Sequence, residues 1–456
     1  MQTRTRDMTK GEPARLILFF LLPILAGNIL QQFYSLVDSY IIGQVNGVTA
    51  LTAVSTSGWL DWLVLSIMIG LTQGFSIQAA QDFGSGNSAA LRRTVGQSIL
   101  LSIGSSILIT IGAQLTLRPI VTIMRTPSEI FELEITYLRI IFAGGPLVMC
   151  VNLLSGFLRS VGNSKTPLYA MIFSTLANAG LDWLFVAGFR WGVAGAALAT
   201  ILAQGASCIV CLYAVIRLPL LHPARTDLSP DKTVMRKLLR ISSPLVLGNV
   251  VISVGGLVLQ TVVNSFGYLF AAGYNTASRL QGPIEIAGVS ISSAAGTFIA
   301  QNYGAGNMNR VRDGFRKSFF MVIIAAAVIT TATLTLGPRI LLLFLNDAPA
   351  VVGQVLDYAV QFLRIMCVGL PFLYLLFLYR SALQGLGDTF IPMLSGFLEL
   401  FMRISSALIL PRFLGVKGVL LSEILAWISA SIMLIIGYYH RMRKLKLSRS
   451  SASPRD

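Results

Sequence analysis

Twelve long apolar segments, separated by short polar ones, constrain the fold of this chain more than any other feature. A helix that crosses the hydrocarbon core of a bilayer needs roughly 20 mainly apolar residues. Segments that meet this requirement lie at 15–43, 50–82, 91–116, 130–161, 166–189, 193–217, 236–267, 272–302, 311–337, 350–386, 389–411 and 416–441. The sequence therefore predicts an all-α polytopic membrane protein with twelve transmembrane helices.

The composition excludes a soluble protein of this size. Hydrophobic residues make up 54% of the 456 residues and charged residues only 12%, whereas about 25% of the residues of a typical soluble protein are charged. The first residues are basic, but the apolar run that follows them is too long for a signal-peptide core and has no small-residue cleavage site. We therefore expect no cleavable signal.

The net charge of +16 reflects membrane topology rather than nucleic-acid binding. Segment ends assigned to one side of the membrane carry 24 basic residues, against six on the other side. Cytoplasmic segments of membrane proteins carry an excess of Lys and Arg. We therefore predict that the protein lies in the inner (plasma) membrane, that both termini are cytoplasmic, and that nucleic acid is not a partner.

Four sequence blocks recur at an offset of 220–225 residues, which indicates an internal repeat. The pairs are Pro23 to Asn28 with Pro244 to Asn249, Gln81 to Asn87 with Gln301 to Asn307, Tyr137-Leu-Arg-Ile with Phe362-Leu-Arg-Ile, and Gly162/Pro167 with Gly387/Pro392. Each copy contains six apolar segments, so both copies enter the membrane from the same face. The sequence thus predicts two parallel-related six-helix bundles.

The repeat and the charges together predict the domain boundaries. We expect a cytoplasmic N-terminal tail over 1–14, an N-terminal six-helix lobe over 15–217, a cytoplasmic linker over 218–235, a C-terminal six-helix lobe over 236–441 and a basic cytoplasmic tail over 442–456. Because both lobes belong to one chain, a monomer is sufficient.

Residues that only one repeat carries are candidates for function, because what both repeats share is expected to be scaffold. Asp38 aligns with Leu259, and Asn178 and Asp182 align with Arg403 and Ala407. Tyr34 and Asp38 are four residues apart and therefore share a helical face, as do Asn178 and Asp182 on the fifth segment.

If these two faces meet, two carboxylates, an amide and a phenol share one poorly solvated pocket. A carboxylate at that depth costs on the order of 3 kcal/mol even on lenient insertion scales. Two neighbouring carboxylates there do not both stay charged without a partner, so the pocket can bind a proton, or Na⁺ through its oxygen atoms. The alternative is that Asp38 and Asp182 only make hydrogen bonds between helices.

Further polar residues within the apolar segments are candidates for a substrate cavity. Glu399 and Arg403 are four residues apart and can form an ion pair, for which a structural and a functional role both remain open. Gln260 and Asn264 lie where the second repeat lacks an equivalent of Asp38. The candidates are Asp61, Gln260, Asn264, Glu285, Glu399 and Arg403.

Motifs for enzymatic chemistry are missing from the sequence. It contains no GxxxxGK[ST] phosphate loop, no HExxH and no paired Cys/His zinc spacing. We therefore expect neither an enzyme nor a resident cofactor or structural metal. Because the phosphate loop needed for ATP hydrolysis is missing, uphill transport by this chain would draw its energy from an ion gradient.

Several stretches resemble the multidrug and toxic compound extrusion (MATE) family of bacterial type over roughly 12–441. They are LFFLLPILAGNILQQFYSLVDSYIIG, AQDFGSGN with AQNYGAGN, FLRSVGNSKTP with LQGLGDTFIP, and GVAGAALAT. Family members with an ion site in the N-terminal lobe use an Asp on the first helix, an Asn and an Asp on the fifth, and a Thr on the sixth. By this resemblance those positions are Asp38, Asn178, Asp182 and Thr200, with Tyr34 nearby.

The resemblance implies an antiporter that exports amphipathic, often cationic drugs or toxic organic compounds by alternating access in exchange for H⁺ or Na⁺. Its expected partners are small organic substrates and membrane lipid. The alternative is a lipid-linked oligosaccharide flippase, or an exporter of a specific metabolite, from the same superfamily. A cavity richer in Arg than in acid would distinguish that alternative, and Arg279 and Arg380 are the residues that point to it.

Overall fold

The chain, described here by a computed structural model over residues 5–124, 126–345 and 349–450, is helical and has no strand within those ranges. Of the basic residues that predict the topology, Arg4, Arg125 and Arg455 lie outside the described residues, and so does the side chain of Arg449. The basic tail predicted over 442–456 is therefore described only in part.

Thirteen α-helices follow one another in the described chain. They are α1 (Pro13–Gly84), α2 (Ser88–Ile123), α3 (Ser128–Ala143), α4 (Gly145–Ser160), α5 (Lys165–Asp182), α6 (Gly192–Ile216), α7 (Lys232–Ser265), α8 (Tyr268–Gly304), α9 (Met308–Leu342), α10 (Pro349–Gly385), α11 (Phe390–Ile409), α12 (Pro411–Leu414) and α13 (Val416–Ser450). Eleven spans among the described residues are long and apolar enough to cross a membrane, and α3 and α4 together make a twelfth. The predicted fold class is confirmed.

Helix α1 contains two spans joined at Gly47, in agreement with the predicted gap between residues 43 and 50. Gly47 has φ 78° and ψ −176°, a region of backbone conformation that is essentially restricted to glycine. The half of α1 before Gly47 is called α1a here, and the half after it α1b.

The fourth predicted span, 130–161, consists of two helices, α3 and α4. The chain bends by 47° between α3 and α4. Pro146 lies at the start of α4 and has no N–H to donate to the preceding turn. The hydroxyl of Thr110 donates instead to the Phe142 carbonyl at 3.3 Å, so the bend leaves this carbonyl with a partner.

Contacts divide the chain into two compact units. The first unit consists of Met1–Gly11, Phe19–Val250 and Ala300–Asn307, and the second of Glu12–Leu18, Val251–Ile299 and Met308–Asp456. The predicted domain boundaries stay a prediction, because this division follows packing and assigns short segments of each sequence half to the other unit.

Within the first unit, the two copies of the repeated turn motif pack against each other. A side chain at Gly84 would collide with the Gln301 carbonyl, and one at Gly304 would collide with the Gln81 carbonyl. The Gln301 side chain accepts from the Met8 N–H at 2.9 Å and donates to the Ser160 carbonyl at 2.7 Å. The motif common to both repeats is therefore part of the scaffold.

The linker between the repeats is ordered against α2 in the first unit. It forms two 3₁₀ turns, Pro219–Leu221 and Arg225–Leu228. Asp231, just before α7, accepts from the Thr233 and Val234 N–H groups and pairs with Arg93 at 2.6 Å. These contacts hold the pKa of the Asp231 carboxyl below its usual value, and the hydrogen bond from the Thr233 N–H has the largest effect.

We predict that Gly47→Ala destabilises the protein by about 1–3 kcal/mol, the cost of holding a non-glycine residue in this backbone conformation. An added Cβ would meet no atom within 4 Å, so the loss is conformational rather than steric. Chemical unfolding of the protein in detergent measures it. Gly104→Ala in α2 is the matched control, since that glycine is also free of contacts and helical, where Ala is favoured. Equal stability of the two variants would refute the conformational explanation.

Candidate functional site

A cavity of about 430 Å³ lies inside the first unit, between α1 and the helices that follow it. Its polar lining comes from α1a, α1b, α3 and α6, and consists of Tyr34, Asp38, Ser55, Asp61, Tyr137, Thr200 and Gln204. Apolar residues such as Val54, Leu65, Met68 and Phe142 form most of the remaining wall. Cavities of this size hold small organic ligands.

The carboxyls of Asp38 on α1a and Asp182 at the end of α5 are in contact with each other. Asp182 is fully buried, and Asn178, one turn earlier on α5, is 1% exposed. The two helical faces expected to meet therefore do meet. Asp182 does not line the cavity and adjoins it through Asp38.

Hydrogen bonding at this acid pair is incomplete. Apart from the contact between the two carboxyls, Asp38 Oδ1, both Asp182 carboxylate oxygens and Asn178 Nδ2 are buried without a hydrogen-bond partner among the described residues. Neither acid forms an ion pair with a described basic residue. Buried polar atoms in native proteins nearly always have partners, so these four atoms are an unusual feature of the acid pair.

Tyr34 connects the acid pair to the sixth span. Its hydroxyl donates to Thr200 Oγ1 at 3.2 Å, and the same hydroxyl is close enough to Asp38, Asp182 and Asp61 to interact with them electrostatically. Tyr34, predicted from its spacing to Asp38, and Thr200, predicted from the family resemblance, thus line the same cavity as Asp38.

A π-helical turn over Trp183–Gly188 begins directly after Asp182. The Phe189 N–H bonds to the Leu184 carbonyl at 2.8 Å, and Arg190 then turns the chain toward α6 with φ 57°. Rings of Phe185, Phe189 and Trp191 stack beside this turn, with centroids 5.2–6.0 Å apart. π-Helical turns are frequent at functional sites, and this one follows directly on Asp182, the last residue of α5.

The donor atoms at the acid pair are all oxygens or amide groups. Carboxylates, an amide and hydroxyls are hard ligands, which suit a proton or Na⁺ and do not suit a soft transition metal. No group of three or more His, Cys, Asp or Glu that would hold a metal ion occurs in the described part of the chain.

The second unit contains a cluster of charged side chains in which the acid is paired with basic residues. Glu399 on α11 accepts from Arg403 at 2.9 Å and from Arg380 of α10 at 3.1 Å. Both carboxylate oxygens of Glu399 therefore have a guanidinium partner, and the ion pair anticipated between Glu399 and Arg403 is present. Arg403 also interacts electrostatically with Glu423 and Glu285.

The two repeats carry chemically different side chains at two equivalent positions. Tyr34 corresponds to Gly255, and Asn178 corresponds to Arg403, by the repeat offset. A side chain at Gly255 would lie 3.1 Å from Leu400 and 3.7 Å from the Arg403 guanidinium. The first unit thus places a phenol and an amide where the second has a glycine and the arginine beside it.

The remaining candidates of the second repeat lie on α7 and α8. Gln260 donates to Asn264 at 3.0 Å and to Asn275 at 3.1 Å, at an exposed position. Glu285 accepts from Gln281 at 2.8 Å. Gln260 and Asn264 therefore belong to one hydrogen-bonded cluster of amide side chains, whereas Glu285 interacts electrostatically with Arg403.

Two buried acids, Glu134 and Glu423, were not among the predicted site residues. Glu423 on α13 is 6% exposed and accepts from the Tyr274 hydroxyl at 3.3 Å. Glu134 on α3 is fully buried. Glu423 is a lone acid within an apolar run, so the criterion that selected Asp38 would also have found it.

Fold and site together define a polytopic membrane transporter made of two homologous halves. The MatE family model matches residues 23–184 and again residues 244–409. The starts of the two matches are 221 residues apart and their ends 225, which confirms the internal repeat. The chain belongs to the MatE family, whose members are transporters.

Similar proteins cover nearly the whole chain. A "probable multidrug resistance protein YpnP" of Bacillus subtilis is 28% identical over 97% of this chain and 98% of its own length. A protein named "FAD transporter" from Shewanella oneidensis is 23% identical over 90% of both chains. The outward-facing structure of a multidrug resistance MATE family transporter has a TM-score of 0.90 at 22% identity and covers 96% of this chain and 98% of that one.

We predict that Glu399→Gln lowers the free energy of unfolding by about 3 kcal/mol or more, because it leaves the buried Arg403 and the partly buried Arg380 without their shared carboxylate. Arg118→Gln is the control, since the Arg118–Glu132 pair is more than half exposed on both sides and such pairs contribute about 1 kcal/mol or less. Unfolding of both variants in detergent measures the difference. An unchanged stability of Glu399→Gln would show that the cluster does not hold the second unit together.

Proposed function

We propose that the chain is a cation-coupled antiporter that exports amphipathic, often cationic organic compounds by alternating access. The coupling ion, H⁺ or Na⁺, binds at Asp38 and Asp182 together with Asn178, and Tyr34 and Thr200 complete the site. The substrate occupies the cavity that Asp38 and Asp61 line.

The observation that carries this proposal is the pair of contacting, buried carboxyls with unpaired oxygens and no basic partner among the described residues. Such a pair stays buried at low cost only when a proton or a cation neutralises it. When the ion leaves, the site regains negative charge, and an organic cation in the adjacent cavity supplies the compensating charge. Ion and substrate therefore exchange at one place.

The cavity wall adds selectivity for cations. Tyr34 and Tyr137 present aromatic rings beside Asp38 and Asp61, and aromatic faces attract organic cations. In transporters with related halves, rearrangement of one half against the other exposes a central site to each side of the membrane in turn. A single chain supplies both halves, so the proposed transporter is a monomer.

The proposed setting is the inner (plasma) membrane, with both termini in the cytoplasm and the outward direction as the direction of export. Support comes from the excess of basic residues on the side that carries the termini. The partners are the small organic substrate, the coupling ion and the surrounding lipid.

The decisive experiment is ethidium transport in inverted membrane vesicles with a proton gradient and a sodium gradient imposed separately. We expect wild type to respond to one gradient and Asp38→Asn to lose at least about tenfold of the driven rate, as one ion-binding carboxylate is worth several kcal/mol at this depth. Asp357→Asn, at an exposed position of α10, is the charge-matched control and should keep the wild-type rate. Full gradient-driven transport by Asp38→Asn would remove Asp38 from the coupling mechanism.

A flippase for lipid-linked oligosaccharides, or an exporter of a specific metabolite, is the second candidate. Arg380 and Arg403 in the second unit and the relative named as an FAD transporter favour an anionic substrate. The same vesicles, tested with FAD in place of ethidium, distinguish the two. Movement of FAD without movement of ethidium would favour the second candidate.

A further inference from the structure

A groove between α9 and α13 in the second unit has no part in the proposed transport site. It encloses about 360 Å³. We call it the α9–α13 groove and define it by Arg312, Arg316, Phe319, Phe320, Tyr438 and Tyr439.

Two cationic side chains form one edge of the groove. Arg312 and Arg316 are one helical turn apart on α9, so their side chains lie on the same face. Both are exposed, and neither forms an ion pair with any described carboxylate. Two neighbouring guanidinium groups can share the oxygens of a single phosphate through paired hydrogen bonds.

Aromatic rings form the rest of the groove and hold its shape. Phe315 stacks on Tyr438 with a centroid distance of 4.3 Å, and Tyr379 packs against both rings at 5.0 and 5.5 Å. Phe320 and Tyr439 remain 52% and 59% exposed. The groove therefore has packed aromatic rings at its base and exposed rings along one side.

The groove lies where its helices leave the apolar layer. Arg312 is in the second turn of α9, and Tyr439 is followed on α13 by Arg441, Arg443, Lys444 and Lys446. Tyr and Trp side chains and basic residues concentrate at the level of the lipid headgroups. A ligand in this groove thus has its polar end at headgroup depth.

The first repeat fills the equivalent place with its own chain. Gln97 of α2 donates to the Asp227 and Ser229 carbonyls, each at 2.8 Å. The Asp227 carbonyl lies so close to Gly96 that a side chain there would collide with it. Linker residues Leu218 and Leu221 pack into the core of the first unit.

The second repeat differs at the positions that receive the linker. By the offset of 220 residues, Gly96 corresponds to Arg316 and Gln97 corresponds to Lys317. The glycine that admits the linker backbone is thus replaced by an arginine, and α13 continues as a helix to Ser450. The groove in the second unit is open to an occupant from outside the described chain, and its charge selects an anionic one.

We propose that the α9–α13 groove binds an anionic phospholipid, with the phosphate between Arg312 and Arg316 and an acyl chain along Phe319 and Phe320. The two arginines account for the anionic headgroup. The exposed rings that extend from them toward the apolar layer account for the acyl chain and distinguish a lipid from free phosphate. Basic pockets between membrane helices bind anionic lipid headgroups in this manner.

The test is native mass spectrometry of the full-length protein in detergent, titrated with phosphatidylglycerol or with phosphatidylcholine of the same acyl chains. We expect wild type to retain phosphatidylglycerol preferentially. The double variant Arg312→Gln/Arg316→Gln should bind it about tenfold more weakly or worse, because two charge-assisted contacts are lost. Arg443→Gln/Lys444→Gln removes the same charge from α13 outside the groove and should change the affinity less than twofold.

Four outcomes would overturn the proposal. They are equal retention of the two lipids by wild type, equal loss in both double variants, displacement of bound phosphatidylglycerol by millimolar inorganic phosphate alone, and binding that appears only after residues 451–456 are deleted. The last outcome would assign the groove to the C-terminal tail. Because both arginines are exposed, the double variant should fold, and its melting temperature in lipid-free detergent verifies this.

Discussion

The contact between Asp38 and Asp182 is the interaction on which the rest of this structure depends. Two carboxyls at membrane depth, without a described basic partner, cost several kcal/mol unless something neutralises them. The second unit meets the same difficulty differently, because Arg380 and Arg403 both bond to Glu399. The described part of the second unit thus supplies its own counter-charge, whereas that of the first unit does not, and this difference is the basis of the proposed cation site.

The two repeats therefore share their scaffold and differ in their chemistry. Shared features include the turn motif in which Gly84 and Gly304 pack on the carbonyls of Gln301 and Gln81. The repeats differ at a few equivalent positions. By the repeat offset, Tyr34 of the first repeat corresponds to Gly255 of the second, and Gly96 corresponds to Arg316. The first difference lies at the proposed ion site. The second decides whether the groove beside α2 or α9 is filled by the chain itself or left open.

Most of the fold was predictable from the sequence, because membrane-spanning helices need long apolar runs and each half repeats the same pattern. The break in α1 was also predictable, since two apolar runs flank Gly47. The bend between α3 and α4 was not, because a proline within a helix can be accommodated with or without a bend, and the partner that stabilises this one, Thr110, lies 32 residues away.

The candidate site was predictable in its residues and not in its geometry. Helical spacing put Tyr34 with Asp38 and Asn178 with Asp182, but only tertiary packing brings the two faces together. The π-helical turn after Asp182 has no periodic signal in the sequence, since it adds one residue to a single turn. Glu423 was missed although its position in an apolar run is as unusual as that of Asp38.

The most direct test of the central claim is ion release from the purified protein upon substrate binding. Ethidium is added to the protein in weakly buffered detergent, with a pH indicator in one experiment and bound ²²Na⁺ in another. The account predicts that wild type releases one of these ions in proportion to the ethidium bound, and that Asp182→Asn binds ethidium but releases far less. Equal release from wild type and Asp182→Asn, or no release of either ion from wild type, would contradict it.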